Sequence, residues 1–425
     1  MRSFLLLAAA AVLAGCATQP AIEQPIRIGL LYDSSGAFAA SGGAARVGAE
    51  LAIEMINQRG GVAGRYRVVA VSGDSGSNTA AALAAAEKLV RADKVVAVVG
   101  LSSSSYAPPV VDRLESLGAL TWVTSAIDNA VFLDKNRQLT FRVLVGTDSF
   151  GTVSVRYLQA MAQPRLGKAP RDLRLAVVNE SHAFAQAIAD ANVSEAKKLG
   201  FAIVFTGSYG KDTSLTDLFA RVKAAQPDIV LHAGYDPVPL WQSMRSQDIR
   251  VLAMLGQGMN QTAQSFRDKG LGADLEGFHT TTGIDPAALD LTRLTPAAAA
   301  TVRQVTAALG PRYPGGIPNF SWSAFNATWV LLDDVLPRAI ARHGGLAPQA
   351  IAAAARETDI AEGATVLGHG VGFFPPGHVL AGQNERAYTG VSQAIGGEFR
   401  LVYPPIVARA QPAMPYPGLS PFARR

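Results

Sequence analysis

Four consecutive hydroxyls, Ser102 to Ser105, follow the apolar run Val95–Gly100 with only Leu101 between them. Serines crowded at the end of a buried strand could do three kinds of chemistry. They could cradle an anion, because hydroxyls and the free N–H groups of a helix start point outward and the helix dipole favours negative charge there. One of them could be a nucleophile, given a base within reach to take its proton. Or they could close a polar turn and cap the helix before Pro108.

Gly73-Asp74-Ser75-Gly76 is the sharper catalytic candidate, since it matches the nucleophile segment of trypsin-like proteases. That chemistry needs a β-barrel, an upstream histidine and an oxyanion hole. The first histidine of this chain is His182, far downstream. The tetrapeptide is therefore expected to be a strand-to-helix loop, with Asn78 or Thr79 as the cap. His182, His232, His279, His343, His369 and His378 show neither HxxxH nor HxH spacing, and Cys16 is the only cysteine. No metal site is expected from that pattern. No GxGxxG opens the first loop and no GxxxxGK[ST] occurs, so neither a nicotinamide cofactor nor ATP hydrolysis by this chain is expected.

The elements that must position these residues alternate regularly. Of the 425 residues, 49% are apolar and 17% charged, as in a globular protein, and a net charge of +5 gives no reason to expect nucleic acid or another polyanion. Arg2 precedes the apolar run Phe4–Ala14, shorter than the about 20 residues that cross a bilayer. That run ends in Leu13-Ala14-Gly15-Cys16, which resembles the bacterial lipobox, where cleavage leaves a lipidated cysteine. Residues 1–15 are thus expected to be a lipoprotein signal peptide and 16–25 a tether. From Ile26 onward, short β-rich runs (IRIGLLY, YRVVAVS, KVVAVVG, ALTWVTS) are separated by amphipathic helical stretches, and the rhythm restarts after Phe141–Gly151. Strands spaced by helices imply parallel pairing and doubly wound α/β sheets. The Ser321–His343 segment reads as a long buried helix. The proline-rich tail, 404–425, reads as an extended strap or a disordered end.

Ser35-Gly36, Gly42, the stretch Gly48–Gly64 with Ile56-Asn57 and Gly60-Gly61, the serine run, GALTWVTSA and DTSLTDLFARVKAAQPDIVLHAGYDP together resemble the periplasmic substrate-binding proteins of the leucine/isoleucine/valine type. The resemblance covers about residues 26–403. It implies the type I periplasmic binding fold: two lobes joined by a three-segment hinge, crossing near Gly146, Phe278 and Gly372. Lobe I would then hold residues 26–146 and 278–372, and lobe II residues 147–277 and 373–403.

By the same resemblance the ligand would lie between the lobes at Leu101, Ser102 and Ser103, with Ser103 donating to an acidic group. Ser125, Ala126 and Asp128 would flank it, and Phe184, Tyr235 and Gln257 would form the opposite wall, with Ser41 and Phe325 as further wall residues. An amino-acid binder of this family usually has an acid near Gln257 for the ammonium and a threonine near Asp128 for the carboxylate. Here a neutral amide and a carboxylate occupy those places. Either Asp128 or Asp236 holds an amine, or the ligand is an amide, a urea or another small polar metabolite.

The implied function is non-enzymatic: a monomeric, lipid-anchored solute receptor in the cell envelope that closes over its ligand and presents it to the membrane permease and ATPase of an ABC importer. A second expectation follows from Ala17, since lipoproteins lacking Asp after the lipidated cysteine tend to reach the outer membrane. There the same fold serves in lipoproteins that activate cell-wall synthesis by protein contact.

Overall fold

Side chains of the first strand alternate between two cores, which sets up the first layer. In β1 (Ile26–Tyr32), Ile26, Ile28 and Leu30 face one side of the sheet and Leu31 the other, as alternation across a pleat requires. The computed structural model describes residues 24–234, 238–258, 267, 268, 270 and 272–415. Within them β1 joins β2 (Val68–Asp74), β3 (Ala97–Gly100), β4 (Thr121–Val123) and β5 (Thr140–Arg142) in a parallel sheet ordered β2-β1-β3-β4-β5. One face packs on α1 (Ala39–Gln58); the other packs on α2 (Thr79–Arg91) and α3 (Ala107–Ser116). Asn78 caps α2 by accepting the Ala81 N–H at 2.9 Å, so the Gly73–Gly76 segment is the expected strand-to-helix loop.

The second sheet is larger. Strands β6 (Arg174–Glu180), β7 (Ala202–Tyr209), β8 (Ile229–Ala233), β9 (Ala253–Gln257) and β10 (His279–Thr282) run parallel. Helices α4 (Asp148–Leu166) and α5 (Ala183–Lys198) cover one face, and α6 (Leu215–Ala224) and α7 (Val238–Ser246) the other. Together the sheets give two doubly wound α/β lobes. After α8 (Pro296–Leu309), helix α9 (Asn319–Val330) continues through a π turn (Leu331–Val335) into α10 (Leu336–Arg342) and returns to the first lobe. It lies against α1 so closely that a Cβ on Gly48 would sit 2.0 Å from the Ser321 carbonyl oxygen; only glycine permits that approach.

Two boundaries differ from the sequence reading. β10 pairs with β9 and with β11 (Gly390–Ile395), so the second crossing follows Thr282 and not Phe278. Val371 and Phe373 still pack in the first lobe's core, and Asn384 Nδ2 donates to the Val143 carbonyl at 2.8 Å. The third crossing therefore lies beyond Gln383, not near Gly372. The second sheet also ends in an antiparallel hairpin, β11 with β12 (Glu398–Tyr403), turned by Gly396-Gly397. The tail is a packed strap as far as it is described: Val407 and Met414 are buried, and Gln393 exchanges two hydrogen bonds with the Ala413 backbone, at 2.6 and 2.8 Å. Residues 416–425, the signal segment and Cys16 lie outside the described residues.

Candidate functional site

Parallel strands deliver their carboxyl ends to one edge, and crevices between open α/β sheets form there. A cavity of about 380 Å³ opens at that edge between the two lobes. Its first wall begins with a strained turn. Gly100 has φ +148°, and a Cβ there would stand 2.2 Å from the Leu31 carbonyl oxygen; Leu101 follows in the left-handed region at φ +67°. Leu101 thereby drives its side chain into the core, fully buried, while its N–H donates to Leu31 at 2.9 Å and its carbonyl accepts from Ala126. It anchors the serine run and does not line the cavity.

The four serines that follow do line it, with unequal hydrogen-bond commitments. Ser102 donates to Asp33 at 2.5 Å. Asp33, at the end of β1, is wholly buried and also accepts from Tyr106 (2.7 Å), Ser75 (2.8 Å) and the Ser77 N–H (2.9 Å). Burial pushes the Tyr106 hydroxyl up to about 12, so it stays a donor. The hydroxyls of Ser103 and Ser105 pair with each other at 2.8 Å, and Ser104 accepts the Asp128 N–H at 3.1 Å. Ser41, Ser125 and Ser323 extend this polar edge, the last two 3.2 Å apart.

Several expected wall residues are placed elsewhere. Ala126 is buried, its carbonyl taken by Arg142 at 2.9 Å. Asp128 is off the wall; its carboxylate accepts the Ala130 N–H at 2.9 Å and caps the short turn Asn129–Val131. It is not placed to hold a ligand amine. Gln257 is fully buried and exchanges both amide hydrogen bonds with Asn192, at 2.6 and 2.8 Å. With one amide donor and its acceptor engaged on α5, it stays off the wall. Phe325 is buried and stacked on Trp329. Tyr235 and Asp236 lie outside the described residues.

The second wall is aromatic. Phe184 lines the cavity, edge-on to Phe150 at 6.1 Å and stacked on His182 at 6.2 Å. From the first lobe, Phe38, Ile127, Leu144 and Phe320 add apolar surface, and none of the described lining side chains is an acid, a lysine or an arginine. Sequence reasoning missed Asp33, Phe150, Tyr388 from the third crossing, and His369 from the first-lobe segment before it. The available signals were an acid ending an apolar strand (LLYD) and a histidine between two glycines (GHG).

His369 is 1% exposed. Its Nδ1 lies 3.0 Å from the Gly370 carbonyl, which can only accept, so Nδ1 carries the proton. Nε2 is then an unprotonated acceptor, and it has no hydrogen-bond partner. Burial pulls the ring down to about 4, which keeps it neutral. With no lining serine hydrogen-bonded to His369, that histidine and the serines do not form a nucleophile–base pair. The arrangement can enclose a small molecule, bury an apolar body and direct hydrogen bonds to a polar head.

A family profile described as periplasmic binding protein matches residues 25–389. The chain is 28% identical over 417 residues to the Leu/Ile/Val-binding protein homolog 7 of Brucella suis biovar 1, covering 97% of this chain and 99% of that one. Among solved structures it is similar to the substrate-binding protein of the Streptococcus pneumoniae branched-chain amino acid transporter in complex with isoleucine. The TM-score there is 0.64 at 20% identity, over 90% of this chain and 100% of that one. It is also similar to an ABC transporter substrate-binding protein of Desulfitobacterium hafniense in complex with leucine, with a TM-score of 0.67 at 18% identity, over 89% and 100% of the two chains.

Proposed function

This chain belongs to the periplasmic binding protein family, and from that premise we propose that it is the extracytoplasmic solute receptor of an ABC importer, anchored by lipid on Cys16. Like its relatives it is a binding protein and not an enzyme. The carrying observation is the cavity of about 380 Å³ lined from both lobes, with a hydroxyl edge on one side and aromatic rings on the other. That volume suits a small molecule with an apolar body and one polar head.

Binding proceeds by hinge closure. The ligand docks on the serine wall of the first lobe, and the second lobe swings over it with Phe150 and Phe184. Closure strips water from the polar head and strengthens each hydrogen bond to it. The closed face is what the permease and its ATPase read. The relative from Brucella suis is named for leucine, isoleucine and valine, and the two neighbouring structures hold isoleucine and leucine, so aliphatic side chains of that size define the starting panel. The cell-wall alternative draws no support from these relatives.

The test is a thermal-shift panel on the mature chain: branched-chain and other amino acids, amides, ureas and small aromatic acids. At least one compound is expected to raise the melting temperature, since ligand at 100 times Kd stabilises by about 2.7 kcal/mol. A flat response across the panel, with a cell-wall enzyme captured instead, would overturn the receptor reading.

A further inference from the structure

The first crossing between the lobes begins beside a buried cation that no described carboxylate contacts. Arg142 ends β5 and is fully buried, its guanidinium lying over the Phe132 ring at 4.8 Å. Nε donates to Gln383 Oε1 at 2.5 Å, and Nη1 donates to the Ala126 and Asp128 carbonyls, each at 2.9 Å. Nη2 has no hydrogen-bond partner. Burial lowers the group to about 9, so it is still charged at neutral pH. A cation held out of water among amide oxygens alone is unfavourable, and the idle N–H groups add to that cost.

The group able to relieve it lies across the pivot. Asp148 is in the first turn of α4, the first helix of the second lobe. A Cβ on Gly146 would stand 3.2 Å from Arg142 Nη2, 2.7 Å from Asp148 Oδ1 and 2.3 Å from Asn129 Oδ1. Only glycine lets these three polar atoms crowd one point of the crossing. Yet Asp148 is engaged elsewhere: its Oδ1 accepts from Asn129 Nδ2 at 3.0 Å, while Asn129 Oδ1 accepts the Thr147 N–H at 3.1 Å. Asp128, the other acid near the guanidinium, turns its carboxylate to the Ala130 N–H.

The lobes here are close enough to line one cavity together. In this arrangement a neutral amide holds the Asp148 carboxylate and the buried cation does not. We infer that Arg142 and Asp148 form a latch for the open receptor: as the second lobe swings away about Gly146, Asp148 leaves Asn129 and pairs with Arg142 Nη2. Near a pivot displacements are small, and a small one suffices. Closure then exchanges an ion pair for an amide hydrogen bond and leaves an idle buried donor, which favours reopening and release. Arg142 also holds the carbonyls of the loop that carries Ile127 on the cavity wall, so the latch and the wall share one support. The latch rests on the hinge-closure reading and on no particular ligand.

Small-angle scattering from the unliganded mature chain tests it without a guest. Asp148→Asn removes the charge and keeps an acceptor for Asn129. The open-to-closed ratio is expected to fall about tenfold, read as a radius of gyration about 0.5 Å below the parent's, where a compact chain of this length has about 21 Å. Arg142→Lys, which keeps a cation and lacks Nη2, should shift the radius the same way. Asn129→Ala removes the partner that Asp148 has in the closed arrangement, and the radius is expected to equal or exceed the parent's. Urea midpoints identify a variant that fails to fold; should Arg142→Lys be one, Asp148→Asn carries the test. An Asp148→Asn radius equal to or above the parent's overturns the latch, and so does an Asn129→Ala protein more compact than the parent. Either result leaves the receptor reading to the thermal-shift panel.

Discussion

The two walls of the cleft solve the same problem in opposite ways. On the first lobe, polar groups reach the cavity and are held from behind: Asp33 gathers Ser75, Ser77, Ser102 and Tyr106, while Gly100 and Leu101 spend backbone strain to aim the serines. On the second lobe, the polar group at the corresponding strand end, Gln257, is neutralised against Asn192 inside the lobe, and the face left for the cavity is Phe150 and Phe184. The difference assigns separate tasks. Hydroxyls already oriented before a ligand arrives set how it docks, and little ordering remains to be done on binding. The aromatic wall then contributes burial on closure without any charge that must first lose its water.

Breaking the strained turn should have the largest effect. Gly100→Val puts a Cβ against the Leu31 carbonyl in a conformation that L side chains rarely adopt. A loss of about 3 kcal/mol or more is expected, read from the urea midpoint. A loss under about 1 kcal/mol would mean that the serine wall is not held by this turn.

Acid should act on both lobes. Burial depresses His279, on β10 of the second lobe, to about 3 and His369, in the first-lobe segment before the third crossing, to about 4. Both rings are neutral when folded and bind protons more readily when unfolded, so stability is full above the unfolded value of about 6.5 and falls as pH drops from there towards 4. His369 should account for roughly 3 kcal/mol of that fall. His369→Gln is expected to flatten the urea midpoint against pH between 6.5 and 4; an unchanged slope would remove this assignment.

Gln257→Leu tests whether the amide pair is internal to lobe two. Stripping Asn192 of both partners should cost about 2 kcal/mol of stability, while the ranking of compounds in the binding panel stays as in the parent. A changed ranking would put Gln257 in reach of the guest and erase the contrast between the walls. Phe184→Ala is the mildest: about tenfold weaker binding of the compound the panel selects, with a small change in melting temperature. Unaltered affinity would show that the aromatic wall does not close on the guest.

Much of this architecture was legible in one dimension. The strand–helix rhythm, the long helix after Ser321, the polar loop after β2 and the serine run at a strand end all follow from local periodicity and turn chemistry. The second sheet's closing hairpin is signalled by Gly396-Gly397 but is masked by the glycines and prolines around β11 and β12. The crossing near Phe278 was placed early for a related reason: HTTT, at β10, lacks the apolar run that marks the other strands, and only its pairing with β9 and β11 identifies it.

The sequence by itself determined two α/β lobes and a patch of hydroxyls at a sheet edge, because both depend on residue types and spacings within a few turns of chain. Tertiary structure alone decided what each polar group does. Ser102 meets Asp33 across 69 residues, and Asn192 meets Gln257 across 65. His369 lines the cavity only because the chain from 363 to 373 folds back onto the first lobe. A hydroxyl or an amide can donate or accept, and the choice is made by whichever partner the fold brings within 3 Å or so. That partner is invisible to any local pattern.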